Sequence, residues 1–187
     1  MQEQLRSHIQ KIVQLTEEEF EVVVSHFSVK EFKKNEFIFE KGEKVKETYY
    51  VVSGLLKLLY IDEAANQHII SFAMEDWWES DFYAYFTQTK ATMSLQCLEK
   101  TTALCLSLEG YQNLCTSMQK MESFFLHKSN LGFVASQQRI LSLITSNARE
   151  RYEKLLNQYP SLFQRVSKTQ LASYLGVSRE TLSRFYK

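Results

Sequence analysis

The sequence predicts an α+β chain in which an amino-terminal antiparallel β-roll precedes one long helix and a carboxy-terminal helix-turn-helix. Three observations predict it. Between Val29 and Ser107, stretches rich in β-branched and aromatic residues alternate with turn-like breaks, as in an antiparallel jelly-roll. From about Met118 to Asn147 no proline interrupts a helical period. The last twenty residues, KTQLASYLGVSRETLSRFYK, hold two short apolar helical periods on either side of Gly176. The chain thus divides into a roll with flanking helices over 1–117, a long helix over 118–147 and a helix-turn-helix module over 148–187.

Taken in chain order, Thr16 and Glu19 have the spacing of a capping box that starts a short helix running to about His26, with Phe20, Val23, Val24 and Phe27 on one face. The strand segments are VKEFKKNEFIF, TYYVVSGLLKLLYI, HIISFA and TMSLQCLEKTTALCLS. Gly42 and Gly54 fall at bends, residues 41–43 read as a turn, and residues 62–67 read as a hairpin loop. Helical spacing returns at about Leu108. In the long helix Leu126, Phe133 and Ile140 repeat at seven, with Leu143 or Ile144 completing a seam. Gly132 would let two helix backbones approach, so a dimer crossing is one reading and packing on the chain's own roll is the other. A further helix near Ala148 to Gln158 leads to Pro160, the only proline, which marks the start of the last module.

In that module Leu171, Ala172 and Leu175 face one way, Gly176 allows the positive φ of a helix stop, and Val177, Leu182 and Phe185 resume the apolar period. Ser167 and Gln170 can cap the first helix reciprocally, and Ser178 can cap the second. The second helix then turns Arg179, Glu180, Ser183 and Arg184 outward. A guanidinium fork matches guanine O6 and N7, a carboxylate accepts from cytosine N4, and hydroxyls or a second arginine hold phosphates. An ordinary helical hairpin with a solvated charged face is the plain alternative.

Charge agrees with a division of labour. The net charge is zero, yet residues 139–187 carry nine Lys or Arg against three Asp or Glu, and the residues before them carry thirteen against nineteen. Only the carboxy-terminal part suits a polyanion, so the front part is expected to serve as a sensor or scaffold. With 44% apolar and 24% charged residues the chain is expected to fold. No apolar run approaches the ~18 residues of a membrane helix, and the start MQEQLRSHIQ lacks a secretory segment, so a cytoplasmic protein is expected.

The stretch from Val166 to Arg184 resembles the helix-turn-helix of the Crp/Fnr family of bacterial transcription regulators, in which the Arg-Glu pair reads bases. The resemblance implies that Arg179, Glu180 and Arg184 read bases and that Lys168, Thr169, Gln170, Ser178 and Ser183 contact the DNA backbone. It implies a homodimer on double-stranded DNA, with RNA polymerase as a further candidate partner. FIFEKGEKVKETYYVVSGLLKLLYI, with its paired glycines, is similar to the early strands of a cyclic-nucleotide-binding roll, so the resemblance covers nearly the whole chain. Family members continue past the recognition helix into a β-hairpin wing, whereas this sequence stops three residues beyond Arg184. Fewer phosphate contacts are then expected, with the base-reading helix intact. The same departure supports an alternative: a ligand- or partner-binding roll whose helix-turn-helix does not hold DNA.

Nucleotide-binding members of the family carry a phosphate cassette with a Gly-Glu pair, a short helix, and an Arg followed by a small residue. The corresponding MEDWWESDFYAYFTQTKATMS places Trp77 and Trp78 near the expected glycine and has no Gly-Glu. No arginine lies between Arg6 and Arg139, so no guanidinium from the roll can grip a cyclic phosphate. Lys90 is the only nearby cation, and Glu75, Asp76, Glu79 and Asp81 are close in sequence. Cyclic AMP is therefore not expected as ligand and no cofactor is implied, while an unidentified small-molecule effector would be held by Trp77, Trp78, Glu79, Phe82, Tyr83, Lys90 and Thr92. Six of the ten residues from Trp77 to Phe86 are aromatic, which suits either a pocket for a planar ligand or core filling.

Other chemistries find little support. His68 is the only histidine in the roll, which disfavours a cupin-like metal centre. Cys97, Cys105 and Cys115 are too widely spaced for an iron-sulfur site or a disulfide framework. No nucleophile triad, Walker loop or dinucleotide fingerprint is present, and the chain is expected not to be an enzyme.

Overall fold

The structure, a computed structural model, describes residues 1–186. Two helices, α1 (Gln2–Gln10) and α2 (Glu17–Ser25), precede the strands. Thr16 and Glu19 form the expected capping box, with the Thr16 hydroxyl accepting from the Glu19 N–H and the Glu19 carboxylate accepting from the Thr16 N–H. Phe27 departs from expectation. It opens strand β1 (Phe27–Phe32) instead of extending the helix face, because pairing with Leu106 claims its backbone.

Seven more strands follow: β2 (Phe37–Phe39), β3 (Glu47–Ser53), β4 (Leu56–Ile61), β5 (Gln67–Ala73), β6 (Trp78–Glu79), β7 (Ser94–Cys97) and β8 (Thr101–Ser107), with a short helix α3 (Phe82–Thr87) between β6 and β7. They form two four-stranded sheets in the orders β1-β8-β3-β6 and β2-β7-β4-β5. The β1–β8 register runs from Phe27 opposite Leu106 to Phe32 opposite Thr101, and β3 pairs on the other side of β8.

Because side chains alternate across a strand, the first sheet has two apolar faces. Tyr49, Val51, Ala103 and Cys105 point into the roll and meet Phe39, Leu56, Leu58, Leu95 and Cys97 of the second sheet. Tyr50, Leu104 and Leu106 point the other way, onto Leu5, Ile9, Phe20, Leu114, Met121 and Phe124. Each such fully buried side chain contributes about 1.5–3 kcal/mol of transfer free energy. This double burial explains why β3 and β8 read as nearly continuous apolar runs. Gly54, at the β3–β4 bend, has φ +103, and a Cβ there would meet the Thr101 hydroxyl, the Lys100 carbonyl at 2.7 Å and the Thr101 Cα at 2.8 Å.

Helix α4 (Leu108–Ser117) starts on a Ser107 cap, and α5 (Gln119–Thr145) follows as one continuous helix. Its early residues Met121, Phe124 and Phe125 are buried. The seam residues Leu126, Phe133, Ile140, Leu143 and Ile144 are exposed in the single chain, as are Leu131, Val134 and Leu141, and nothing lies within 4 Å of a Cβ built on Gly132.

Helix α6 (Ala148–Gln158) has the expected bounds and is capped by Asn147 and Glu150. A short α7 (Leu162–Arg165) precedes α8 (Lys168–Leu175), α9 (Arg179–Ser183) and a 3-10 turn over Arg184–Tyr186. The chain forms two compact units. One holds residues 1–60 and 71–130; the other holds 131–187 together with 61–70, the tip of the β4–β5 hairpin.

Candidate nucleic-acid interface

Local chemistry sets the helix-turn-helix. The Ser167 hydroxyl accepts from the Gln170 N–H at 3.2 Å while the Gln170 side-chain oxygen accepts from the Ser167 N–H at 2.9 Å, so both orphan donors at the start of α8 are satisfied. Gly176 ends the helix at φ +66, a left-handed conformation that costs glycine little. Ser178 then caps α9 by accepting from the Thr181 N–H at 3.1 Å. Leu171, Ala172, Leu175 and Leu182 are buried and hold the hairpin shut. Val177 and Phe185 are half-buried, and the Phe185 ring lies 5.6 Å from that of Tyr152 on α6.

That anchoring leaves one face outward. Arg179, Glu180 and Ser183 on α9, with Arg184 at its end, are all exposed. Their side chains lie along α9, which has five residues, so Arg184 belongs to the 3-10 turn rather than to the helix proper. The Glu180 carboxyl is held below the usual carboxylate range by its own backbone N–H and by the Ser178 hydroxyl, so at neutral pH it is an acceptor-only group. Lys168 and Thr169 are exposed on the first turn of α8. Gln170 and Ser178 are committed to caps, which leaves the Gln170 amide nitrogen for an outside contact.

Beside this face runs an open groove of about 480 Å³, lined by Thr169, Ala172, Ser173, Gly176, Val177, Ser178 and Arg179 on one side and by Gln67 and His68 of the hairpin on the other. Sequence reasoning gave no role to Gln67, His68 or Ser173. Their signal is tertiary: the Ser173 hydroxyl sits between two backbone groups of β5, which no local pattern announces.

The roll residues expected to hold an effector are distributed over several environments. Trp78 stands opposite Tyr50 on β3, and the two share the outer face of the first sheet with Phe27, Phe124 and Phe125. Trp77, just before β6, packs against the inner core instead. Glu79 stands opposite Tyr49 and is buried, accepting from the Ser71 hydroxyl of the second sheet at 2.5 Å and from the Ser80 N–H at 3.0 Å. Burial pushes its carboxyl up to about 7. Phe82, Tyr83 and Phe86 lie on the exposed face of α3, whereas Tyr85 is fully buried. Lys90 is exposed and bridges by its backbone to Lys44.

Thr92 has a specific partner. The Asp81 carboxylate, which is fully buried, accepts from the Thr92 N–H at 2.7 Å, the Thr92 hydroxyl at 2.9 Å, the Met93 N–H at 3.1 Å and the Ala84 N–H at 3.1 Å. A set of donors that suits an anion is thus occupied by a charge from the chain itself. Among the described residues no group of three or more His, Cys, Asp or Glu is placed to hold a metal ion, and no helix is long and apolar enough to cross a membrane.

Comparison with known proteins places these features. The description of a cyclic nucleotide-binding domain matches residues 29–118. The transcriptional activator protein Anr of Pseudomonas protegens is 24% identical over 165 residues, covering 82% of this chain and 67% of that protein. The anaerobic regulatory protein of Haemophilus influenzae is 24% identical over 168 residues, covering 83% of this chain and 64% of its own length. This chain therefore spans about two thirds of these relatives. Among solved structures, FixK2 of Bradyrhizobium japonicum superposes with a TM-score of 0.74 at 16% identity, covering 86% of this chain and 82% of that one. The c-di-GMP responsive regulator CLP of Xanthomonas campestris superposes at 0.71 and 16%, covering 91% and 89%. At such identities these two likenesses concern the fold.

Proposed function

We propose that the chain is a transcription regulator of the Crp/Fnr type, as its likeness to such regulators supports, and that it binds DNA sequence-specifically, its α8–α9 hairpin reading duplex DNA as a homodimer in the cytoplasm. The observation that carries this reading is the outward set Arg179, Glu180, Ser183 and Arg184 on a helix pinned from behind by buried Leu182. Arg179 donates to guanine O6 and N7, Glu180 accepts from cytosine N4, and Arg184 joins them at the base edges. Lys168, Thr169, Gln170, Ser178 and Ser183 fix the register on phosphates.

Dimerisation supplies the second reading head. The exposed seam of α5, with Leu126, Phe133, Ile140 and Ile144, is an apolar stripe that a second α5 would cover, and Gly132 leaves room for the crossing. Two heads one helical turn apart match a near-palindromic site. RNA polymerase is the partner such a regulator addresses once bound.

The roll is proposed to take no cyclic nucleotide in the usual way. A cyclic phosphate would need a guanidinium that the roll lacks, and the Asp81 carboxylate already holds the Thr92 and Met93 donors and would repel it. A different effector would act by favouring one arrangement of the two heads over another. The alternative, an interaction protein that does not bind DNA, draws on the brevity of α9, only five residues before the 3-10 turn. Selection from a random duplex pool separates them: the regulator enriches a two-fold symmetric motif, whereas an interaction protein returns the input pool.

A further inference from the structure

Asp81 is fully buried, and its carboxylate is bound as a free anion would be. Its Oδ1 accepts from the Ala84 N–H at 3.1 Å, while its Oδ2 accepts from the Thr92 N–H at 2.7 Å, the Thr92 hydroxyl at 2.9 Å and the Met93 N–H at 3.1 Å. The three donors on Oδ2 come from the segment that leads into β7, eleven and twelve residues further along, and not from the end of a helix. A charge taken out of water is tolerated when such donors replace its hydration, and bonds to an ionised acceptor are about twice as strong as neutral ones. Lys90, the cation nearest in sequence, is exposed. Backbone and hydroxyl donors thus hold the carboxylate in place.

The same helix supplies a ring. Tyr85 of α3 is fully buried in the inner core with Tyr49, Val51, Leu56, Leu58 and Leu95, and its hydroxyl donates to the Leu106 carbonyl at 3.3 Å. Phe82, Tyr83 and Phe86 stay exposed. The α3 segment therefore sends an anionic group and an aromatic ring, four residues apart, into the roll. We propose that the Thr92–Met93 segment is an anion-binding site and that Asp81 is its tethered occupant: the chain itself brings the carboxylate and the ring that a small aromatic acid would bring from solution. The roll is then closed to free carboxylates because its site is filled, and it accepts one when the Asp81 side chain is removed. Tethering decides the competition. A group held beside its donors acts at an effective concentration on the order of millimolar or above, so a free anion at micromolar levels does not displace it. This filling of the roll is independent of whether the α8–α9 hairpin reads DNA.

The test uses the whole chain, with sodium formate as the carboxylate and formamide, a neutral molecule of the same size, as control. Asp81→Ala removes the carboxylate and leaves the three Oδ2 donors without their acceptor. At about ten times its dissociation constant, formate is expected to raise the melting temperature of the variant by about 3–6 °C. Formamide, and sodium chloride at matched ionic strength, should leave it unchanged, and formate should leave the wild-type chain unchanged. Nuclear magnetic resonance of the wild-type chain gives a second readout that does not depend on the variant folding. The Thr92 and Met93 amides are expected to exchange slowly with solvent and to keep their resonance positions as formate is added. A variant stabilised by formate no more than by formamide overturns the proposal. Wild-type Thr92 and Met93 amides that shift with formate, or that exchange as fast as exposed ones, overturn it equally.

Discussion

Replacing Glu79 by glutamine should reverse the usual cost of losing a charge. The Glu79 carboxyl lies inside the roll at 6% exposure, with the Ser71 hydroxyl and the Ser80 N–H as its donors. Burial raises it from an ordinary 4.5 to about 7. Below 4.5 it is neutral in both the folded and the unfolded chain, so it costs nothing. Between 4.5 and about 7 the unfolded chain ionises freely while burial keeps the folded carboxyl protonated, so stability is lost across that window and levels off above it. At about 1.4 kcal/mol per pH unit the loss amounts to about 3 kcal/mol by pH 8. Glutamine keeps an acceptor for the Ser80 N–H, offers an amide to the Ser71 hydroxyl, and has the same shape. Urea unfolding of both chains at pH 5, 6, 7 and 8, at one protein concentration, isolates the effect because all other groups titrate alike. The two stabilities should nearly coincide at pH 5 and diverge in favour of the variant toward pH 8. A difference that stays constant across the series would refute this account of the buried carboxyl.

The Gly54→Ala chain combines a strained φ with a Cβ against the Lys100 carbonyl and Thr101 backbone, and should unfold about 2–4 kcal/mol more easily; denaturant midpoints within error of wild type would contradict that. Phe133→Asp puts a charge on the exposed α5 seam and should shift the sedimentation equilibrium from dimer to monomer without changing far-ultraviolet circular dichroism. Calorimetry with cyclic AMP should give no saturable isotherm at micromolar concentrations, since Asp81 holds the anion donors.

What the sequence disclosed was local. The Ser167–Gln170 box, the Gly176 stop and the Ser178 cap could be read because each depends on residues within four positions, and the structure places all three as expected. The Thr16–Glu19 box and helix α6 were legible for the same reason. Strand β6 and helix α7 were not, being too short to show a period. Phe27 fitted a helical spacing equally well, and only its pairing with Leu106 makes it a strand residue. The aromatic run from Trp77 to Phe86 was visible as a cluster, but its division among two core layers and a solvent-facing helix depends on strand alternation set by the pairing with β3. Least legible were the long-range polar contacts. Asp81 reaches Thr92 across eleven residues and Ser173 reaches Gln67 across more than a hundred, and neither residue type is unusual where it stands.

The claim that Arg179 reads base edges is tested most directly by base-by-base competition. A duplex selected by the wild-type chain is varied at each position, and the affinities of wild type and Arg179→Ala are compared by anisotropy at one salt concentration. Arg179→Ala should lose about 1–3 kcal/mol of discrimination at one base pair in each half-site and keep its preferences elsewhere. An unchanged preference at every position would contradict the assignment.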